Sequence, residues 1–222
     1  MQDLQVDIEA LRDAARAHID RGPITDTYGA DRERVVNVLN SVLATELVCV
    51  LRYKRHYYMA DGMKAIPVAA EFLQHATEEQ GHADLVAQRI VQLQGAPDFN
   101  PSTLTARSHA EYEEGSDLAS MVEEDLVAER IAISTYQEIA RWLGDDDPTT
   151  RRLIEQILAV EEEHAEDLVS LLKDMPEHHN GDRHGRAEPA SPARVADPAE
   201  VAKHEREMDE LGADARGEGQ IV

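Results

Sequence analysis

Cysteine occurs once in 222 residues, at Cys49. No intramolecular disulfide can form, and its place in the apolar run Leu47–Leu51 makes Cys49 a core residue and not a nucleophile. Aromatics supply only 4% of the chain and glycine only 12 residues, a scarcity that fits an all-helical protein. Basic residues are also short: 22 Lys and Arg stand against 45 Asp and Glu, a net charge of −23, of which residues 31–174 carry −15. Phosphate contacts need clustered Lys and Arg, so no nucleic-acid partner is expected, and cations suit such a surface better. Neither a positively charged, apolar-cored leader nor an apolar run long enough to cross a bilayer is evident. The expectation is therefore a cytoplasmic protein without membrane contact.

What is present is helical periodicity. The 42% hydrophobic content can fill one core, arranged on four lines at three-or-four spacing. The first runs Val35, Leu39, Val42, Glu46, Val50, Tyr53, Tyr57, and the second Val68, Phe72, Ala76, Glu79, His82, Val86, Ile90, Leu93. The third is Leu118, Val122, Asp125, Glu129, Ala132, Tyr136, Ala140, Leu143, and the fourth Ile154, Ile157, Glu161, His164, Leu168, Leu171. Gly62, Gly95 with Pro97, and Gly144 punctuate these segments, and Pro148 after three aspartates suits a helix start. Short turns at 60–64 and 144–147 predict two antiparallel hairpins. The long stretch from Gly95 to Gly115 predicts a crossover running the length of the bundle.

Each line carries acid at its midpoint, where an unpaired buried charge would be costly. Residues three apart share a helix face, so Glu79 with His82 and Glu161 with His164 can each address one point, and Glu46 and Glu129 can complete it. Four carboxylates with two imidazoles suit iron or manganese better than zinc or copper, and four negative charges neutralise two divalent cations. Two single glutamates with two E-x-x-H pairs form the recognised pattern of di-iron and di-manganese carboxylate bundles.

The phrases Leu39-Asn40 through Glu46-Leu47-Val48, Glu79-Gln80-Gly81-His82-Ala83-Asp84, Asp125-Leu126-Val127-Ala128-Glu129, and Ile157 through His164 resemble, in order, the four helices of the bacterioferritins and their ferritin-like relatives. The resemblance covers residues 31–174. It implies an all-α, ferritin-like four-helix bundle that acts as an iron-storage ferroxidase. Such a protein oxidises Fe(II) to Fe(III) with dioxygen or peroxide and keeps the mineral in a hollow homo-oligomeric cage. Glu46, Glu79, His82, Glu129, Glu161 and His164 would hold two iron ions per subunit, with manganese the alternative metal. Tyr53 and His56 match positions near that centre, with Tyr53 able to donate an electron. The family's haem-binding Met follows the first E-x-x-H glutamate, and here that position is Gln80, so haem is not expected. Met59 and Met63 read as packing residues. Val160 stands where an acid commonly precedes the second E-x-x-H glutamate, which leaves Asp125 to orient a ligand histidine.

Outside this pattern, His75 reads as a satisfied core histidine, with a site for outgoing iron as the alternative. His178, His179 and His184 read as solvent-exposed, with a loosely held metal as the alternative. Residues 1–30 form an extension with a short helix (Leu4, Ile8, Leu11, Ala15, Ile19), residues 31–174 the bundle, and residues 175–222 a tail that is mobile or partly helical around Pro198–Leu211. Two other functions stay open at this point: a di-iron or di-manganese oxidase or peroxide scavenger that stores nothing, and a structural or cargo-type bundle acting through its tails.

Overall fold

The computed structural model describes residues 6–17, 19–62 and 65–175. Met63, His178, His179, His184 and the stretch Pro198–Leu211 lie outside them. Among the described residues there is no strand. A short α1 (Ile8–Ala14) precedes the long α2 (Arg32–Met59) and α3 (Ile66–Gln92). A one-turn α4 (Leu104–Arg107) lies in the crossover, and α5 (Leu118–Leu143) and α6 (Pro148–Asp174) follow. Among the described residues the protein is an all-α helical bundle, with α2 against α3 and α5 against α6 as antiparallel hairpins.

Local chemistry sets the helix ends. Asp31 caps α2 by accepting from the Arg34 amide, and Asp117 forms a capping box with Ser120 at the start of α5. Asp147 caps α6 ahead of Pro148 and also gathers Arg89 from α3 (3.0 Å), the Thr150 hydroxyl and the Tyr28 hydroxyl (2.8 Å). One aspartate thus ties the end of α3, the start of α6 and the segment before α2 together. At the end of α3 the left-handed residue is Gln94 (φ 59°), while the Gly95 amide donates to the Ile90 carbonyl at 2.9 Å. Gly95 serves a different purpose from the expected stop. A Cβ there would lie 2.6 Å from Val36 Cγ1, so glycine is what lets the chain turn close over α2.

The crossover is poor in apolar residues yet ordered, because polar side chains stitch it along α2. Arg107 donates to the Asn40 carbonyl (2.8 Å) and the Asp98 carbonyl (2.9 Å), and Asn40 accepts from the Asp98 amide (2.8 Å). Farther along, Thr45 meets His109 (2.9 Å), Arg52 donates to the Glu111 carbonyl (2.9 Å), and His56 lies 3.1 Å from the Glu113 carbonyl.

Among the described residues two large apolar clusters fill the bundle, beside a small third of Ala44, Val48 and Leu104. One joins Val35, Leu39, Val42, Val86, Ile90, Leu143, Ile154 and their neighbours; the other joins Cys49, Tyr53, Val68, Phe72, Val122 and Leu168. Along α2, α3, α5 and α6 the acidic midpoint falls between them, so two mainly apolar layers enclose a polar one. The expectation that no segment is apolar enough to cross a bilayer needs amending, since α2 passes that test by length and composition. More than half of its apolar window is buried in the bundle, and Glu46 and Arg52 lie buried on it, which is how a core helix satisfies the same criterion. In α1, by contrast, Ile8 and Leu11 are exposed and no residue is buried.

Candidate metal centre

Glu46 on α2, Glu79 and His82 on α3, Glu129 on α5 and Glu161 and His164 on α6 are all buried and converge on one point. His82 Nδ1 lies 3.1 Å from Glu161 Oε1, 3.4 Å from Glu46 Oε2 and 3.9 Å from Glu79 Oε2. His164 Nδ1 lies 3.3 Å from both Glu79 Oε1 and Glu161 Oε2. The donor atoms form two groups: Glu46, Glu79, His82, Glu161, and Glu79, Glu129, Glu161, His164. Within each, every donor atom is within 4.8 Å of the others. Glu79 and Glu161 belong to both groups, so the geometry is that of two adjacent cation positions with two shared carboxylates.

Each of the six side chains directs at least one buried atom without a hydrogen-bond partner toward this point. Buried polar atoms are ordinarily satisfied, so the convergent orphans fit a missing cationic partner. Two tyrosines hold the unshared carboxylates. Tyr136 donates to Glu46 Oε1 and Tyr53 donates to Glu129 Oε1, leaving Oε2 of each glutamate free to face the centre. Sequence reasoning singled out Tyr53 and passed over Tyr136, although both follow their helix's glutamate at the same spacing, which was the available signal.

Electrostatics bear the mark of that crowding. Burial, then the charge of Glu79, pushes the Glu46 carboxyl up to about 8. Glu129 is raised well above the carboxylate range by burial and by Glu79 and Glu161. Burial alone would lower the two histidines, but the close carboxylates of Glu161, Glu46 and Glu79 outweigh it. They push His82 up to about 12 and His164 to about 11. Without metal, the cluster therefore retains protons in place of cations.

The outer partners differ from expectation. His164 Nε2 lies 2.8 Å from Glu78 Oε2, which holds the Nε2 proton and leaves Nδ1 as the nitrogen that gives up its proton to a metal. Glu78 immediately precedes Glu79 as Val160 precedes Glu161, so of these two equivalent positions only one carries an acid. Asp125 does not orient a ligand histidine. Its oxygens take Arg52 Nε (2.7 Å) and His56 Nδ1 (2.8 Å), forming a buried trio that docks the crossover. His56 accordingly belongs to that trio and not to the centre. His75 is also not the satisfied core histidine expected: it is fully buried, yet its Nε2 has no hydrogen-bond partner.

Residues 36–177 match the Ferritin family, described as a ferritin-like domain. Bacterioferritin of Desulfovibrio desulfuricans is 28% identical over 134 residues, covering 60% of this chain and 71% of that protein. The nutrient stress-induced DNA-binding protein of Nostoc sp. is 30% identical over 141 residues, covering 62% and 77%. Among solved structures, the bacterioferritin-related protein of Bacteroides fragilis, described as a dodecameric thioferritin, superposes with a TM-score of 0.63. It is 34% identical and covers 66% of this chain and 88% of its own. Dps from Thermosynechococcus elongatus, at TM-score 0.61 and 21% identity over 63% of this chain and 90% of its own, shares the fold.

Proposed function

Because this chain belongs to the ferritin-like domain family, we propose that it is an iron-storage ferroxidase that takes Fe(II) as substrate and oxidises it with dioxygen or peroxide. The observation that carries this reading is the doubled donor set, in which Glu79 and Glu161 are common to both groups of four. Glu46 with His82 would complete one iron position and Glu129 with His164 the other. A redox-active metal pair supplies one electron from each ion to the oxidant, and manganese in place of iron is accommodated by the same donors.

The protein's own part follows from its residues. Protons retained on Glu46, Glu129, His82 and His164 leave as cations arrive, so loading the centre is a proton-for-metal exchange. Tyr136 and Tyr53 hold the unshared glutamates by one oxygen each, while Glu161 has both oxygens unengaged and can shift between positions. The apolar layers on either side keep bulk water from the donors. Gln80 offers no axial ligand and engages Asp84 at 3.0 Å, so no haem is part of this reading.

Assembly into a homo-oligomeric cage is part of the proposal, supported by the dodecameric relative. The likeness to a relative named as a DNA-binding protein supports a second reading, as a DNA-binding protein. The excess of acid on residues 31–174 weighs against it. Addition of Fe(II) in air to the purified chain, with oxygen uptake and particle mass followed together, tests the storage reading. Oxygen uptake with an iron-filled particle is expected. Oxygen uptake by a small oligomer that gains no mass would replace storage with a non-storing oxidase, and absence of both would point to a scaffold acting through its tails.

A further inference from the structure

We propose that Glu71 and His75 on α3 and Asp167 on α6 form a further divalent-cation site, open to solvent and separate from the buried centre. His75 supplies the observation that requires it. The side chain has no exposure, yet its Nε2 atom lacks a hydrogen-bond partner. That atom points at two carboxylates instead, 3.4 Å from Glu71 Oε1 and 3.8 Å from Asp167 Oδ2, and neither contact has hydrogen-bond geometry. One donor atom from each of the three residues lies within 4.8 Å of the others.

The tautomer of His75 is set by its other nitrogen. Tyr53 gives its hydroxyl proton to Glu129, so the Tyr53 oxygen faces His75 Nδ1, 3.2 Å away, as an acceptor. Nδ1 therefore carries the proton and Nε2 carries a lone pair, the form in which imidazole binds metal. The two carboxylates come from partly exposed side chains, 27% for Glu71 and 45% for Asp167. They repel each other unless a cation lies between them. Bonds of about 2.1 Å to imidazole and carboxylate bring donors to roughly 3 Å apart, a closure that small rotations of two surface carboxylates can make. One imidazole with two carboxylates suits a divalent first-row cation, with water in the remaining positions.

The site adjoins the buried centre. The His75 ring stacks on the His164 ring with centroids 4.0 Å apart, and Glu78 lies within reach of both imidazoles. A cation held by His75 is one ring away from the buried donors, on the side where the carboxylates meet solvent. This inference goes beyond the reading of the buried centre and stands without it.

Co(II) is the probe, applied to the full chain by equilibrium dialysis and by anomalous diffraction from soaked crystals. The expected results are an anomalous peak at bonding distance from His75 Nε2 and one fewer Co(II) bound per chain in the double variant Glu71→Gln, Asp167→Asn. Both changes keep side-chain size at partly exposed positions, so folding is not at stake. The variant Glu79→Gln, Glu161→Gln should lose Co(II) from the buried centre while retaining the peak beside His75. Absence of that peak in the intact protein, or an unchanged Co(II) count in the first variant, overturns the proposal. A filled position at His75 beside a vacant centre would instead uphold it and sink the reading of the centre.

Discussion

Tyr53 and Tyr136 are related by reciprocity: each follows a glutamate of its own helix at the same spacing and hydrogen-bonds to the glutamate of the other helix. Tyr136 on α5 holds Glu46 on α2, and Tyr53 on α2 holds Glu129 on α5. The unshared carboxylates are thus each tethered by one oxygen, while Glu161, one of the shared pair, has both oxygens unengaged.

Replacing Tyr136 with Phe should weaken metal binding at the Glu46 side by about 10- to 100-fold with helical content unchanged, because an orienting partner is lost. Metal titration followed by calorimetry measures it. Tyr53→Phe should weaken the Glu129 side comparably. A slow oxidation rate that persists at saturating Fe(II) in Tyr53→Phe but not in Tyr136→Phe would assign Tyr53 an electron-donor role as well.

Removing a shared or terminal ligand should be more severe. Glu79→Ala and His164→Ala are each expected to cut rapid Fe(II) oxidation by more than about 100-fold, beyond what loss of an orienting partner does. Circular dichroism should report near-native helix in both, since the apolar clusters on either side are untouched. Fast oxidation surviving in both variants would place the chemistry elsewhere.

How much of this was legible beforehand depended on whether a partner lay on the same helix. The six converging side chains could be read because each sits on its own helix's apolar line, and spacing alone places it inward. Tyr136 was readable by the same logic from its offset to Glu129. Arg52 was not, because its burial depends on Asp125 across the bundle and on a carbonyl of the crossover, neither of which leaves a local pattern. Glu78 and Asp167 gain their meaning only once α3 and α6 are side by side. Gln94, in the left-handed turn beside a glycine, shows that the obvious glycine was needed for space and not for its dihedral freedom.

Metal-free protein should lose stability as pH rises from about 5 to 8. Glu46 has a folded value of about 8 against an ordinary 4.5, so across that interval the folded state retains a proton that the unfolded chain releases. His82, at about 12 against 6.5, extends the loss to higher pH. Both contributions are complete below the ordinary values and vanish as pH passes the raised ones. Metal ejects those protons, so the rise in Tm produced by Mn(II) should grow over the same interval. Thermal unfolding with chelator and with Mn(II) provides the comparison, and a chelated Tm that climbs with pH would contradict it.

The Arg52–Asp125 pair should matter for stability and not for chemistry. Both side chains are almost completely buried, so Asp125→Ala strands a guanidinium and is expected to cost about 3 to 5 kcal/mol. Urea unfolding measures the loss, while Fe(II) oxidation by the fraction that remains folded should be within a few-fold of normal.

Two glycines should respond to alanine in opposite directions. At Gly95 a Cβ would stand 2.6 and 2.8 Å from the two methyls of Val36 and 3.1 Å from Ile90, and β-branched Val36 has little room to rotate away. Gly95→Ala is expected to cost about 1 to 3 kcal/mol by overpacking. Gly81 lies inside α3, where a Cβ meets nothing within 4 Å. There alanine removes the entropic burden of a helical glycine and should add about 0.5 to 1 kcal/mol. Because Gly81 lies between Glu79 and His82, the same variant also checks that α3 carries those ligands on the opposite face. Metal affinity should be unchanged in Gly81→Ala, and a fall in affinity would show that this part of α3 must flex to let the centre load.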